Sequence, residues 1–342
     1  MKIWFAMLMA SAAADEFFRP GELMVDTAGS RIRAHQPHLV VLQNGTTLWL
    51  GSSHVGSSDG KEGVINAYVA TDATLTSWHF HGPIYDCNQP GHACYAARPS
   101  LLHHPRTGEW ILWAKGGGKS FQVATHPTSP FGPFVKAGSY PPGPGEAAGD
   151  SQSFASHDDS EAYLIYSQKP EEFTTRELRV RSLNDSDWLS LNDTSTSAVS
   201  TIGAHLEGCV PFFSTVAKRY FVWASHASGW RPNPARVHSS PSMLGPWTAL
   251  GNPSHSKTTF GTQGSSILPL ATISPASGNQ RAIYVGDRYE PYITGKEGSR
   301  YIWLPMEVTP AGGLLLINAS KWSLDDWPDS ASEDLFVWRW EA

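Results

Sequence analysis

The sequence predicts an all-β fold, a five-bladed β-propeller of four-stranded blades. Three observations lead there. A pattern of short apolar strands and polar turns recurs roughly every 50–65 residues, which is a propeller-like period. The turns carry residues suited to tight hairpins, such as Asn44-Gly45 and Arg106-Thr107-Gly108, where positive φ is needed. The composition also disfavours long helices: 31 Gly, 25 Pro and 14 Trp stand in a chain of 342 residues with only 16% charged residues, against about 25% in ordinary soluble domains.

The strongest elements are the second strands, at residues 47–51, 109–113, 162–166, 219–223 and 282–286. Each is nearly continuous in apolar residues and includes an aromatic, as expected of a strand buried on both faces. A first strand precedes each, at 38–42, 100–103, 153–155, 210–213 and 266–270, and a third follows, at 67–70, 121–124, 178–181, 235–238 and 301–304. Aromatic fourth elements are expected at 77–80, 132–134 and 245–247. One blade cannot bury its own faces, so the blades must stack into a ring to be stable. Residues 140–145 (YPPGPG) are too short for a domain linker and fit a loop between blades.

Other classes are excluded by composition. A net charge of −6 argues against a nucleic-acid-binding surface. The many aromatics argue against disorder, and no apolar run reaches the roughly 18 residues of a membrane span. Residues 1–14 read as a signal peptide, with Lys2, an apolar stretch at 3–10 and small residues at 11–14. The mature chain, 15–342, is then one domain, secreted and monomeric. Four N-x-S/T sequons, at Asn44, Asn184, Asn192 and Asn318, fit an exported glycoprotein. Cys87 and Cys94 bracket a short loop and are expected to pair, leaving Cys209 as a buried thiol. No spacing suggests a zinc site, and no cofactor is expected.

Propeller active sites lie at the axis, where the first strands converge. Just before each first strand stands a polar segment: His35-Gln36-Pro37, Ala97-Arg98-Pro99, Gly149-Asp150-Ser151-Gln152, Leu206-Glu207-Gly208 and Thr262-Gln263-Gly264. Two of them bring carboxylates, Asp150 and Glu207. A pair of carboxylates is what glycosidic hydrolysis needs, one to protonate the leaving oxygen and one to activate water or stabilise charge.

These segments, together with residues 26–35 (DTAGSRIRAH), 228–234 (SGWRPNP), 284–288 (YVGDR) and 300–305 (RYIWLP), resemble glycoside hydrolase family 43, and within it the exo-β-1,3-galactanase group. The resemblance covers nearly all of the mature chain. It implies a five-bladed propeller and an inverting, exo-acting enzyme that releases galactose from β-1,3-galactan or a related plant cell-wall glycan. It implies Glu207 as general acid, Asp150 as the carboxylate that tunes and aims that acid, and Gln263 as the amide that positions water. His35, Gln36, Arg98, Trp230, Asp287, Arg288 and Tyr301 are the residues expected to bind substrate. Asp287 and Arg288 fit a structural ion pair near the axis better than a direct ligand, and Trp303 fits either a sugar platform or the packing between blades.

The chain departs from the family pattern at three places. Gln36-Pro37 stands where the galactanase group has a glycine after its histidine and the wider family has an aspartate base. Ala97 stands where a glutamate usually precedes Arg-Pro, and Ser52-Ser53 follow Gly51 where a glutamate is usual. Two other readings follow from these changes: the same fold acting as an α-L-arabinofuranosidase or β-xylosidase, or a sugar-binding propeller without turnover.

Overall fold

The structure is a computed structural model; it describes residues 17–53, 63–88, 94–117, 120–142, 146–170, 176–192, 199–228, 231–288 and 300–328. The expected signal peptide, residue Trp230 and the end of the 140–145 loop lie outside the described residues.

Alternating strand and turn signals resolve into twenty strands in five four-stranded antiparallel sheets, each built from consecutive strands. The first strands are β1 (His35–Val41), β5 (Ala96–His103), β9 (Glu146–Ala155), β13 (Leu206–Ser214) and β17 (Gln263–Ile273). The second are β2 (Thr47–Ser52), β6 (Trp110–Gly116), β10 (Ala162–Pro170), β14 (Arg219–His226) and β18 (Gln280–Arg288). The third are β3 (Val64–Ala70), β7 (Phe121–His126), β11 (Glu177–Ser182), β15 (Ala235–Ser240) and β19 (Arg300–Val308), and the fourth are β4 (Trp78–Asp86), β8 (Val135–Tyr140), β12 (Val199–Ala204), β16 (Thr248–Gly251) and β20 (Leu314–Leu316). Neighbouring first strands touch in a closed circle, β1 on β5, β5 on β9, β9 on β13, β13 on β17 and β17 on β1. The five-bladed propeller is therefore the fold of this chain.

The second strands are the buried middle of each blade. All six residues of β2 are buried, and Ile111, Ile165, Val222 and Val285 of their counterparts are fully covered. Gly45 and Gly108 take positive φ, 83° and 73°, in the hairpins where the sequence placed them. Two expected fourth strands need correction. Residues 132–134 and 245–247 are the turns that precede β8 and β16, not strands. Gly132 and Gly245 have positive φ there, a backbone shape that breaks a strand rather than extends one.

Among the described residues the ring closes without exchanging a strand between its ends. Phe18 pairs with Trp322 through both backbone amides, Phe18 N–H to Trp322 O at 2.7 Å and Trp322 N–H to Phe18 O at 3.2 Å. Their rings stack at 4.4 Å. Behind them Trp49 and Trp78 of the first blade meet Trp303 of the fifth at 5.1 and 5.8 Å. Trp303 thus belongs to the seam between first and last blades. Cys87 and Cys94 form a disulfide with Cα atoms 5.8 Å apart, and Cys209 is buried, where burial pushes its thiol up to about 12.

Candidate active site

Every first strand is irregular at its polar segment. The pairing of β1 with β2 slips between His35 and His38, β5 with β6 between Ala97 and Ser100, and β13 with β14 between Glu207 and Val210. The pairing of β9 with β10 slips opposite Gly149 and Asp150, and that of β17 with β18 after Gly264. These are β-bulges, which bend a strand and re-aim its side chains. Gln36, Arg98 and Gly208 take φ of 53°, 49° and 65° within them. The polar segments are thus the distorted first turns of the strands themselves, and the distortion turns their side chains toward the axis.

Arg98 is the hub. Its Nε lies 3.1 Å from Asp150 Oδ2, its Nη2 donates to Gln263 Oε1, and its backbone N–H donates to Gln36 Oε1 at 3.1 Å. Only 5% of its side chain is exposed. Lys115 Nζ donates to Asp150 Oδ1 at 3.0 Å. Gln263 Nε2 donates to Ser225 Oγ at 2.9 Å. Glu207 accepts from Arg176 Nη1. The structure therefore brings Gln36, Arg98, Asp150, Glu207 and Gln263 together around one axis.

The two carboxylates experience opposite fields. Burial alone would raise Asp150, but the Arg98 guanidinium and the Lys115 ammonium outweigh it and hold its carboxyl well below the usual range. Glu207 moves the other way. Burial raises it most, the charge of Asp150 adds to that, and Arg176, Arg98 and Lys115 offset only part. One group is held ionised and the other is biased toward its proton, the pattern that separates a charge-bearing partner from an acid.

The remaining expected residues fall behind this layer. Asp287 is fully buried and accepts from the backbone N–H of Gln36 and from Ser265 Oγ, the latter at 3.3 Å, so it fixes the bulge of β1. The expected Asp287–Arg288 ion pair is not formed: Arg288 follows on the other face of β18 and donates to the Phe260 carbonyl at 2.8 Å. Tyr301 is 3% exposed. Its hydroxyl accepts from Ala34 N–H at 3.0 Å and its ring lies edge-on to Trp49 at 4.7 Å. That leaves it no open face for a sugar; it backs His35, whose ring lies 5.6 Å away and is itself buried.

Lys115, Arg176 and Ser225 were missed by the sequence reading. Their signal was available in the topology. In an antiparallel blade the end of the second strand lies beside the start of the first, and the register pairs Ala97 with Lys115, Glu207 with Ser225 and Gln263 with Asp287. Arg176 stands just before β11, at the same end of its blade. Hollows of about 490 and 440 Å³ lie at His157, Phe213 and Tyr220 and at Asp26, Arg33 and Tyr68, away from both acids.

No family model and no curated protein sequence matches the chain. Among solved structures it is similar to a GH43 β-1,3-galactosidase with galactodeoxynojirimycin, at 26% identity and a TM-score of 0.74 over 89% of this chain and 99% of that one. It is similar to the exo-β-1,3-galactanase of Phanerochaete chrysosporium with galactose, at 25% identity and 0.73 over 91% and 69%. An endo-1,4-β-xylanase of Bacteroides thetaiotaomicron shares the fold alone, at 15% identity and 0.62 over 84% and 95%. Propeller and axial carboxylates define the glycoside hydrolase class. Within that class its fold is similar to that of family 43 β-1,3-galactosidases and galactanases, the family its sequence motifs resemble.

Proposed function

We propose that the chain is a secreted, inverting, exo-acting glycoside hydrolase that releases galactose from β-1,3-galactan. The observation that carries this reading is the opposed tuning of Asp150 and Glu207 on adjacent first strands. The two solved relatives at 25–26% identity are a galactanase and a β-1,3-galactosidase, which supports galactose as the sugar. The Cys87–Cys94 disulfide and the exposed sequon residues Asn44, Asn184 and Asn318 support an oxidising, exported setting.

Glu207, kept protonated by burial and by the charge of Asp150, gives its proton to the glycosidic oxygen as that bond breaks. Asp150 stays ionised and keeps Glu207 protonated until the glycosidic oxygen takes the proton. Gln263 orients the attacking water. Its amide nitrogen is committed to Ser225 and its oxygen already accepts from Arg98, which leaves that oxygen one further lone pair for a water proton. The same Arg98 bond makes the amide a poorer base, so Gln263 positions rather than deprotonates. A water that has bonded to the anomeric carbon is itself strongly acidic and sheds its proton to solvent.

Glu207→Gln keeps the size and loses the proton. Turnover should fall by about 10²–10⁴-fold while the melting temperature stays close to wild type. Product analysis on β-1,3-galactan, with the anomer read by NMR, should show galactose appearing as the inverted anomer. Undiminished turnover in Glu207→Gln would remove Glu207 from the mechanism.

A further inference from the structure

Among the described residues the axis carries more positive charge than the two acids balance. Three cations face them: Arg98 and Lys115 on Asp150, and Arg176 on Glu207. Ala97, paired in register with Lys115, brings no carboxylate to that side. Asp287 is sealed behind Gln36 with no exposure. Arg98 is covered, with 5% of its side chain exposed, but Arg176 keeps 29% and Lys115 keeps 23%.

The imbalance grows at the moment of catalysis. An acid must carry its proton before it can give it, and a protonated Glu207 no longer neutralises Arg176. A partly exposed guanidinium then faces the bound sugar without its counter-charge. A guanidinium presents several N–H donors in one plane and matches a carboxylate or a sulfate by paired bonds.

We propose that the axial site takes a sugar bearing an anionic group, a uronic acid carboxylate or a sulfate ester, and that Arg176 recognises it by leaving Glu207 for the substrate. The inference rests on the reading of the axis as a glycoside site. It makes Arg176 a specificity-determining residue that also releases the acid to be protonated when the correct sugar arrives. A neutral galactose leaves Arg176 beside Glu207, which still takes its proton through burial and the charge of Asp150, but less readily than with an anionic sugar.

The test uses the full chain and three ligands: methyl β-galactoside, the corresponding methyl galactosiduronate, and methyl β-galactoside 6-sulfate. Binding is measured by calorimetry at low and high salt in wild type, Arg176→Gln and Arg176→Lys, with melting curves as the control for folding. Wild type should bind one anionic ligand at least about tenfold more tightly than the neutral one, and salt should narrow the gap. Which of the two anionic ligands gains tells carboxylate from sulfate. Arg176→Gln should abolish the preference and Arg176→Lys should restore part of it.

Turnover of the matching aryl glycosides adds a readout that misfolding would not mimic. Glu207 is faced by Asp150, Arg98, Lys115 and Arg176. Removing Arg176 removes a positive charge, so the alkaline limb of the rate profile should move to higher pH with a neutral substrate. Equal or tighter binding of the neutral galactoside by wild type, or a preference that survives in Arg176→Gln, overturns the proposal. If Arg176→Gln fails to fold, the wild-type preference, its salt dependence and Arg176→Lys decide. Anionic preference without hydrolysis of any glycoside would keep this inference and defeat the hydrolase reading; hydrolysis with neutral preference would do the reverse.

Discussion

At the residue scale the molecule turns on Asp150. Its carboxylate neutralises two cations and raises the neighbouring acid, so Asp150→Asn should act in two ways at once. Loss of its charge lets Glu207 ionise at lower pH, and the alkaline limb of the rate profile should move down, opposite in direction to Arg176→Gln. Loss of the buried partner of Arg98 and Lys115 should cost about 3 kcal/mol at neutral pH. The pH dependence of stability follows from the direction of the Asp150 shift. Its folded value is depressed, so it contributes stability that is present above the unfolded value, about 3.9, and is lost as pH falls through the folded value. Wild type should therefore lose melting temperature on acidification below pH 4 more steeply than Asp150→Asn. Parallel curves for the two would mean that Asp150 is not held low. Asp150 and Glu207 were legible in sequence because each stands alone as an acid before an apolar strand. Arg176 was not, because an arginine at a strand end has no distinguishing neighbour until the pairing register is known.

At the element scale the bulges do the aiming. Each inner strand buries two faces, so a regular strand could only point its residues into the blade packing on either side. An extra residue bends the chain and frees one side chain for the axis. Gly208 shows how little room this leaves. Its φ is 65°, and a Cβ placed there would stand 2.9 Å from Gln263 Cγ, Cδ and Nε2. Gly208→Ala should therefore displace Gln263 and strain the bulge, costing about 1–2 kcal/mol. Turnover should fall by more than that loss of stability explains, with kcat affected before KM, because water placement rather than sugar binding is disturbed. Unchanged kcat would show that Gln263 can move without consequence. The sequence disclosed the strands through their apolar runs, but not the bulges. A bulge adds one residue without changing composition, so the first strands read as starting three to seven residues late. The Gly-Pro pairs at 132–133 and 245–246 misled for a related reason: an aromatic beside a turn has the composition of a short strand, and only the backbone shows that it is not one.

At the scale of the whole molecule the question is how a ring of five independent sheets holds together. Among the described residues no strand is shared between the first and last blades. The seam is made by side chains far apart in sequence, Trp49 and Trp78 on one side and Trp303 and Trp322 on the other, with Phe18 between Trp303 and Trp322. The repeat announced five blades but could not announce this seam, which has no period and joins residues about 300 positions apart. Trp322 is its best single probe. It is 1% exposed, and its indole N–H donates to the Trp303 carbonyl at 2.9 Å. Trp322→Ala should cost about 3–5 kcal/mol. If the ring is one cooperative unit, denaturant unfolding should shift to a lower midpoint with an unchanged slope, because the same surface is exposed in one step. Tryptophan fluorescence and loss of activity should then move together. The axial site is assembled from all five first strands, so a ring that opens at the seam must lose its site in the same transition. A second transition, with activity lost before the bulk of the fluorescence change, would show that the blades hold one another without the seam.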